Sequence, residues 1–246
     1  MLIDAIILAG GLGKRFNNSL NNSSTLPKQF HIFQEIPIFL HSLKALSNLK
    51  IFRQFIIVLP KEYIQQTSQM IQTYGMQNLK ICLVAGGKRR QDSTLSALEY
   101  LEGLESKPER VLIHDACRPY ISKDFGERIK KALIDRSYAA WIPAIPVTDT
   151  IKKVENSMVS HTLNRDEIFR VQTPQIFEFD VILNLFQKIK NNLELNFTDD
   201  ASICEYYGIP VGVFEGDTHN IKVTYNSDWD SLKNICVQEL ASTSIV

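Results

Sequence analysis

Directly after an apolar run, LAGGLGKRF sets Ala9, Gly10, Gly11 and Gly13 beside Lys14 and Arg15, and the nearby LPKQF adds Lys28. Glycines let backbone N–H groups approach a polyphosphate with no Cβ in the way, while the cations neutralise its charge. The spacing predicts phosphate binding. It does not match a dinucleotide fingerprint, because Phe16 replaces the third glycine. It does not match a Walker loop either, because Arg15 follows Gly13-Lys14 and Leu8 occupies the first glycine position. A glycine turn that merely joins strand to helix is the competing reading, and the basic residues on both sides weigh against it.

Three further segments carry groups able to do chemistry. In AGGKRRQDSTLSAL, Gly86 and Gly87 end a predicted strand, and Asp92 and Ser93 follow. Exposed backbone groups and the Ser93 hydroxyl there can match the carbonyl, ring nitrogen and amine of a pyrimidine base. Alternatively Asp92 or Ser93 only caps a helix and Arg89-Arg90 is a solvated surface. VLIHDACRP runs an apolar strand into Asp115, with Arg118 beyond. A carboxylate so placed can hold Mg²⁺ or a substrate hydroxyl, with a structural Asp115–Arg118 salt bridge as the alternative. His114 reads as a core or supporting histidine and Cys117 as a small buried hydrophobe. Lastly, TDDAS places Thr198 before two aspartates, which is also how an ordinary helix starts, and NIKVT places Lys222 in a short apolar strand. A charge there is costly unless it meets an anion or a polar cleft.

The elements that must position these groups alternate. Strands are expected at Leu2–Leu8, Phe55–Leu59, Ile81–Val84, Val111–His114 and Ala139–Ile145. Helices are expected near Ile38–Leu46, Glu62–Tyr74, Asp92–Leu101 and Lys123–Ile134. Strands apolar throughout predict a sheet covered on both faces, hence a Rossmann-like, mostly parallel α/β fold with ligands beyond the strands' carboxyl ends. After Ile145, DTIKKVENSMVSHTLNR reads as two extended pieces around a turn at Glu155-Asn156-Ser157, a protruding β-hairpin arm over about 147–170. Helices near Val181–Lys190, Asp200–Tyr207 and Ser227–Leu240 and strands at Val211–Phe214 and Ile221–Thr224 then rejoin the first core. The asparagine-rich Asn17–Thr25 cannot pack a core and reads as a surface loop.

The bulk properties narrow the partners. With 246 residues, 44% of them hydrophobic, one domain spanning 1–246 is expected. Lysine plus arginine equal aspartate plus glutamate at 27 each, so no global field favours nucleic acid or anionic lipid. Cys82, Cys117, Cys204 and Cys236 form no CxxC pair, which points to reduced thiols in a cytoplasm. The start MLIDAIILAGG reads as a buried strand, too short and insufficiently basic for a signal peptide or a membrane span. The N-x-S sequons among Asn17–Ser24 therefore carry no weight.

Taken in order, LAGGLGKRF, LPKQF, GGKRRQDST, HDACRP, VTDTIKKV, HTLNRDEIFRVQTPQIF, TDDAS and NIKVT resemble the 2-C-methyl-D-erythritol 4-phosphate cytidylyltransferase family from about residue 3 to 232. The resemblance implies a Mg-dependent transfer of the cytidylyl group from CTP, as part of isoprenoid precursor synthesis. Arg15, Lys28 and Lys222 would be catalytic, the glycine loop, Gly86 and Ser93 would hold the nucleotide, and Asp115 and Arg118 would sit beside substrate and metal. Thr150 and Arg165 would grip the substrate phosphate from the arm, with Thr173 and Thr198 lining that pocket. Family members are homodimers with crossed arms, so Thr150 and Arg165 would serve the partner's site.

Two departures stand out. The asparagine-rich stretch lengthens the gap between Arg15 and Lys28, and LAGG with PKQF also occurs in relatives that use ribitol or ribulose 5-phosphate. The DTIKKV piece and the LNR arginine favour methylerythritol phosphate over those pentitol phosphates. A catalytically silent nucleotide sensor is the alternative from another class, and it is disfavoured by Arg15, Lys28 and Lys222 occurring together.

Overall fold

A computed structural model describes residues 1–11 and 26–243, with side chains as far as Ile235. The chain runs β1 (Ile3–Leu8), β2 (Ile32–Phe33), β3 (Ile36–Pro37), α1 (Ile38–Ser47), β4 (Gln54–Leu59), α2 (Ile64–Thr73), β5 (Ile81–Ala85), α3 (Arg90–Glu102), β6 (Arg110–Asp115) and α4 (Lys123–Ile134). It continues through β7 (Ala140–Pro146), β8 (Lys152–Glu155), β9 (Met158–Thr162), β10 (Phe169–Val171), β11 (Gln175–Glu178), α5 (Phe179–Ile189), α6 (Ala201–Tyr206), β12 (Val211–Glu215) and α7 (Ser227–Thr243).

Alternation of side chains along each strand divides the core in two. Ile6, Ile56, Val58, Val111 and Ile113 face one side, against Leu95 and Leu98 of α3 and Ile182 and Phe186 of α5. Ala5, Ile7, Ile57 and Leu112 face the other, against Leu40 and Leu43 of α1 and Phe125 and Ile129 of α4. Every residue of β4 and β6 is buried, as strands covered on both faces require. Each fully buried aliphatic side chain contributes about 1.5–3 kcal/mol.

The sheet is parallel through β5, β4, β1 and β6, with Leu8 level with both Val58 and Asp115. The chain moves outward from β1 to β4 and β5, then returns to β1's other edge as β6. The carboxyl ends of β1 and β6 thus flank the point where strand order reverses, the place an open α/β sheet offers a ligand crevice. Next, β11 runs antiparallel between β6 and β7. The outer edge of β7 pairs in parallel with β12, and β10 lies antiparallel on its inner edge. The arm is a separate hairpin, β8 with β9, whose turn residues Asn156 and Ser157 have φ of 51° and 63°. Those positive values suit a tight turn matched to strand twist.

The mostly parallel sheet, the helices on both faces and the hairpin follow the expected pattern. Three details differ. β11, an antiparallel strand in the middle of the sheet, is preceded by Pro174 and is only four residues long, too short for periodicity to register. The small β2–β3 pair is likewise unannounced. Ile221–Thr224 is not a strand: Val223 N–H donates to the Cys117 carbonyl at 2.9 Å and Ile221 N–H to the His219 carbonyl at 2.8 Å, and the stretch packs as an irregular segment.

Candidate active site

The loops at the crevice converge. Gly10 follows β1, and Gly86 follows β5; a Cβ built on either would meet the Ser93 hydroxyl, at 3.2 and 2.8 Å. Glycine is needed at both because Ser93 fills the space between the two loops, and its hydroxyl accepts from the Gly87 N–H at 3.2 Å. Ser93 is placed by the first turn of α3. Asp92 is occupied there too: its carboxylate accepts from the Arg89 N–H at 3.0 Å and from the Arg89 guanidinium at 2.7 Å, closing a capping box. The helix-capping alternative accounts for Asp92, while Ser93 packs between Gly86 and Gly10 and ties the two loops together.

The Lys28 turn is bound to the same rim, because Gln29 donates to the Ala9 carbonyl at 2.5 Å. Lys28 Nζ donates to the Val223 carbonyl at 2.7 Å, next to Lys222. Lys222 Nζ in turn lies 2.6 Å from Asp115 Oδ2. This ion pair resolves the expected cost of a lysine among apolar neighbours, though from an irregular segment and not a strand. Two cations from opposite ends of the chain are therefore brought to one rim. Gly13, Lys14 and Arg15, and the asparagine-rich stretch, lie outside the described residues.

Asp115 is the centre of this arrangement. Arg90 Nε approaches its Oδ1 at 3.7 Å and Arg118 Nε its Oδ2 at 3.9 Å. Burial pushes the Asp115 carboxyl up, but the charges of Lys222, Arg90 and Arg118 outweigh it and hold the group well below the usual carboxylate range. Asp115 is thus a permanent anion near neutral pH. The expected Asp115–Arg118 partnership is present but long, and Arg118 is fixed mainly by the Asn220 carbonyl at 2.7 Å.

Thr173 stands at the entrance of β11, where its hydroxyl accepts from the Asp115 N–H at 3.0 Å and meets His114 Nδ1 at 3.1 Å. His114 Nε2 pairs with the Arg118 carbonyl at 2.9 Å. Burial pulls the His114 pKa down to about 4, so the ring is neutral and acts as a brace. Burial pushes the Cys117 thiol up to about 11, which leaves it protonated and inert.

Thr173 therefore joins Asp115, whereas Thr198, Thr150 and Arg165 are exposed side chains. Arg165 donates to the Thr148 carbonyl at the arm's root, 3.1 Å away. A cleft of about 760 Å³ opens beside that root, lined by Tyr120, Arg128, Arg170 and His219 among others. Asp115, Lys28 and Lys222 are not among its lining residues.

Sequence reasoning missed the second layer. Arg90, grouped with the surface, points inward to Asp115 and to Asp200, the latter at 2.7 Å. Gln175 bridges Asp199 at 2.6 Å and the Ala201 N–H at 3.1 Å, fixing the TDDAS segment to β11. The available signal was the doubled arginine at a helix start, where cations are unfavourable.

A family model described as 2-C-methyl-D-erythritol 4-phosphate cytidylyltransferase matches residues 3–238. The cytidylyltransferase of that name from Bacillus mycoides is 36% identical over 223 residues, 91% of this chain and 92% of the relative. A bifunctional enzyme IspD/IspF from Bartonella tribocorum is 33% identical over 93% of this chain, which spans only 55% of that longer relative. The solved 4-diphosphocytidyl-2C-methyl-D-erythritol synthase of Anaerococcus prevotii superposes with a TM-score of 0.76 at 28% identity, covering 96% of this chain and 98% of that one. With a glycine-framed serine, an ionised aspartate and two lysines collected where the strand order reverses, and a match spanning nearly every residue, the chain belongs to the 2-C-methyl-D-erythritol 4-phosphate cytidylyltransferase family.

Proposed function

We propose that the protein joins CTP to 2-C-methyl-D-erythritol 4-phosphate, forming CDP-methylerythritol and pyrophosphate for isoprenoid precursor synthesis. The observation that carries this reading is the meeting of Lys28 and Lys222 beside Asp115, a rim away from the Gly10–Ser93–Gly86 turn. A triphosphate across that rim would meet cations, and its base would meet the turn.

The chemistry suits these groups. A phosphate monoester with a second pKa of about 6 is mostly dianionic at neutral pH and needs no general base. One of its oxygens attacks the α-phosphorus of CTP, a P–O bond forms, and the bond to the bridging oxygen breaks with its electron pair leaving on pyrophosphate. The protein's task is in-line placement of two repelling anions and stabilisation of the charge that develops. Lys28 and Lys222 supply that charge, and Arg15 is the third cation in this reading. Arg118 stands beside Asp115 to help orient the incoming substrate.

A Mg²⁺ ion fits as a companion to phosphate. Among the described residues no group of three or more His, Cys, Asp or Glu side chains could cage a metal. One ionised carboxylate, Asp115, stands at the rim, and Mg²⁺ commonly takes one or two carboxylates plus phosphate oxygens. When bound, it would neutralise charge on the phosphates. The exposed arm carries Thr150 and Arg165 toward the phosphate of the substrate held by a second copy, which makes the functional unit a homodimer. Among the described residues no helix is long and apolar enough to cross a membrane.

The test is steady-state pyrophosphate release with CTP and, separately, methylerythritol phosphate, ribitol 5-phosphate and ribulose 5-phosphate. The highest kcat/KM is expected for methylerythritol phosphate. A higher value for a pentitol phosphate would replace the substrate, and no release with any of them would leave only nucleotide binding.

A further inference from the structure

Arg90 is the first residue of α3, the helix end that carries partial positive charge and disfavours a cation. Helix formation does not explain it. Its side chain turns inward between two carboxylates from different elements: Asp115 at the end of β6, and Asp200, whose side chain is only 1% exposed. The other oxygen of Asp200 accepts from Thr94 at 2.9 Å, one helical turn beyond Arg90 on the same face. Thr94 thus holds Asp200 by a hydrogen bond, and Asp200 holds the guanidinium by charge at 2.7 Å.

That cluster is tied to the nucleotide turn on one side and to the TDDAS segment on the other. Ser93, in the same helical turn, holds the Gly87 N–H. Gln91 donates to the Leu195 carbonyl at 3.1 Å and accepts from the Phe197 N–H at 3.0 Å, which leads the chain into Asp199-Asp200. On Asp115 itself, Lys222 and Arg118 both approach Oδ2, and Arg90 alone of the three approaches Oδ1. At 3.7 Å the Arg90 contact is an ion pair and not a hydrogen bond, but it places a positive charge on the side of the carboxylate opposite Lys222 and so biases its rotation.

We infer that Arg90, locked by Asp200 and Thr94, is a positioning residue that sets the rotation of the Asp115 carboxylate relative to the nucleotide turn. The inference rests on the cytidylyltransferase reading. Its consequence is that Arg90 acts on the chemical step through Asp115, without itself needing to touch CTP.

Arg90→Lys keeps the charge and loses the planar fork that serves two carboxylates at once. It is expected to lower kcat by about ten- to a hundredfold, the size of effect small misplacements produce, with the KM for CTP changed less than about threefold. Asp200→Asn should act in the same direction. The double variant should be little worse than Arg90→Lys alone, since both changes break one unit.

Arg90→Lys within about twofold of wild-type kcat, or single effects that simply multiply, would overturn the inference. Should Arg90→Lys fail to fold by circular dichroism, Thr94→Val, which leaves every charge in place, decides it. A reduced kcat at unchanged KM for CTP supports the inference, and a wild-type kcat overturns it. Absence of pyrophosphate release by the unsubstituted protein would overturn the functional reading first, so the two failures are distinguishable.

Discussion

At the rim of the sheet, Asp115 is 8% exposed and its cations arrive from two distant stretches of the chain, Arg90 and Lys222, and from Arg118 in its own turn. On the arm, every residue of β8 and β9 is exposed, and Val154, Met158 and Val159 present apolar side chains to solvent, as do Phe169 and Val171 of β10 at its foot. The rim pairs its charged groups within the described chain, Asp115 with Lys222, Arg90 and Arg118. The arm does not bury its apolar ones, because a two-stranded hairpin has no second layer to bury them against. A self-sufficient region thus adjoins one whose composition calls for a covering surface.

This contrast can be broken or sharpened by experiment. The largest effect on folding is expected from Ile113→Ala, beneath the rim, at about 2–5 kcal/mol of stability by denaturant unfolding. A loss below about 1 kcal/mol would mean that the core under Asp115 is loose. Lys222→Ala, and likewise Lys28→Ala, should lower kcat by about 10²–10³, as removal of one charge-stabilising donor does. A near-normal rate would detach that lysine from the mechanism.

The rim should also carry a pH dependence. Unfolded His114 takes its proton near 6.5 and the folded residue only near about 4, so between these values the unfolded state binds more protons and stability falls as pH falls. The loss reaches about 3 kcal/mol at most. His114→Asn should flatten that slope of unfolding free energy between pH 6.5 and 4, and an unchanged slope would assign it elsewhere.

Arm effects should be smaller and of another kind. Arg165→Ala is expected to raise the KM for the sugar-alcohol phosphate about tenfold, as loss of a charge-assisted contact does, with the KM for CTP unchanged. Equal changes in both constants would deny the arm a substrate role. Val159→Asp should alter stability by no more than about 0.5 kcal/mol, since the site is exposed. Sedimentation should nevertheless show weaker self-association, and an unchanged association state would remove this face from any dimer contact.

What could be read in the sequence follows from how local each signal is. That Gly10 and Gly86 sit at loops just past strand ends was legible from the glycines themselves, whereas their packing against Ser93 was not. The alternating apolar strands made the parallel sheet legible, and the Asn156-Ser157 turn made the hairpin so. Arg90 was not, because its meaning lies in Asp200 and Asp115, which no spacing rule connects to a doubled arginine. The extended reading of Ile221–Thr224 failed because Ile221 and Val223 around Lys222 mimic strand alternation. What those residues do is pack beside Tyr120 and Trp229 while the lysine leaves toward Asp115. Of the two uses open to Asp92, the helix cap is the one its hydrogen bonds make.

One feature of the sheet bears on how such a molecule can vary. Because β11 runs against β6 and β7, the excursion that begins after Pro146 comes home at the end of the sheet from which it departed. The hairpin is a cantilever with both feet on one ledge. Residues can be added to or trimmed from its tip without shifting the register of Gln175 opposite Ile113, so span and catalysis can be tuned separately.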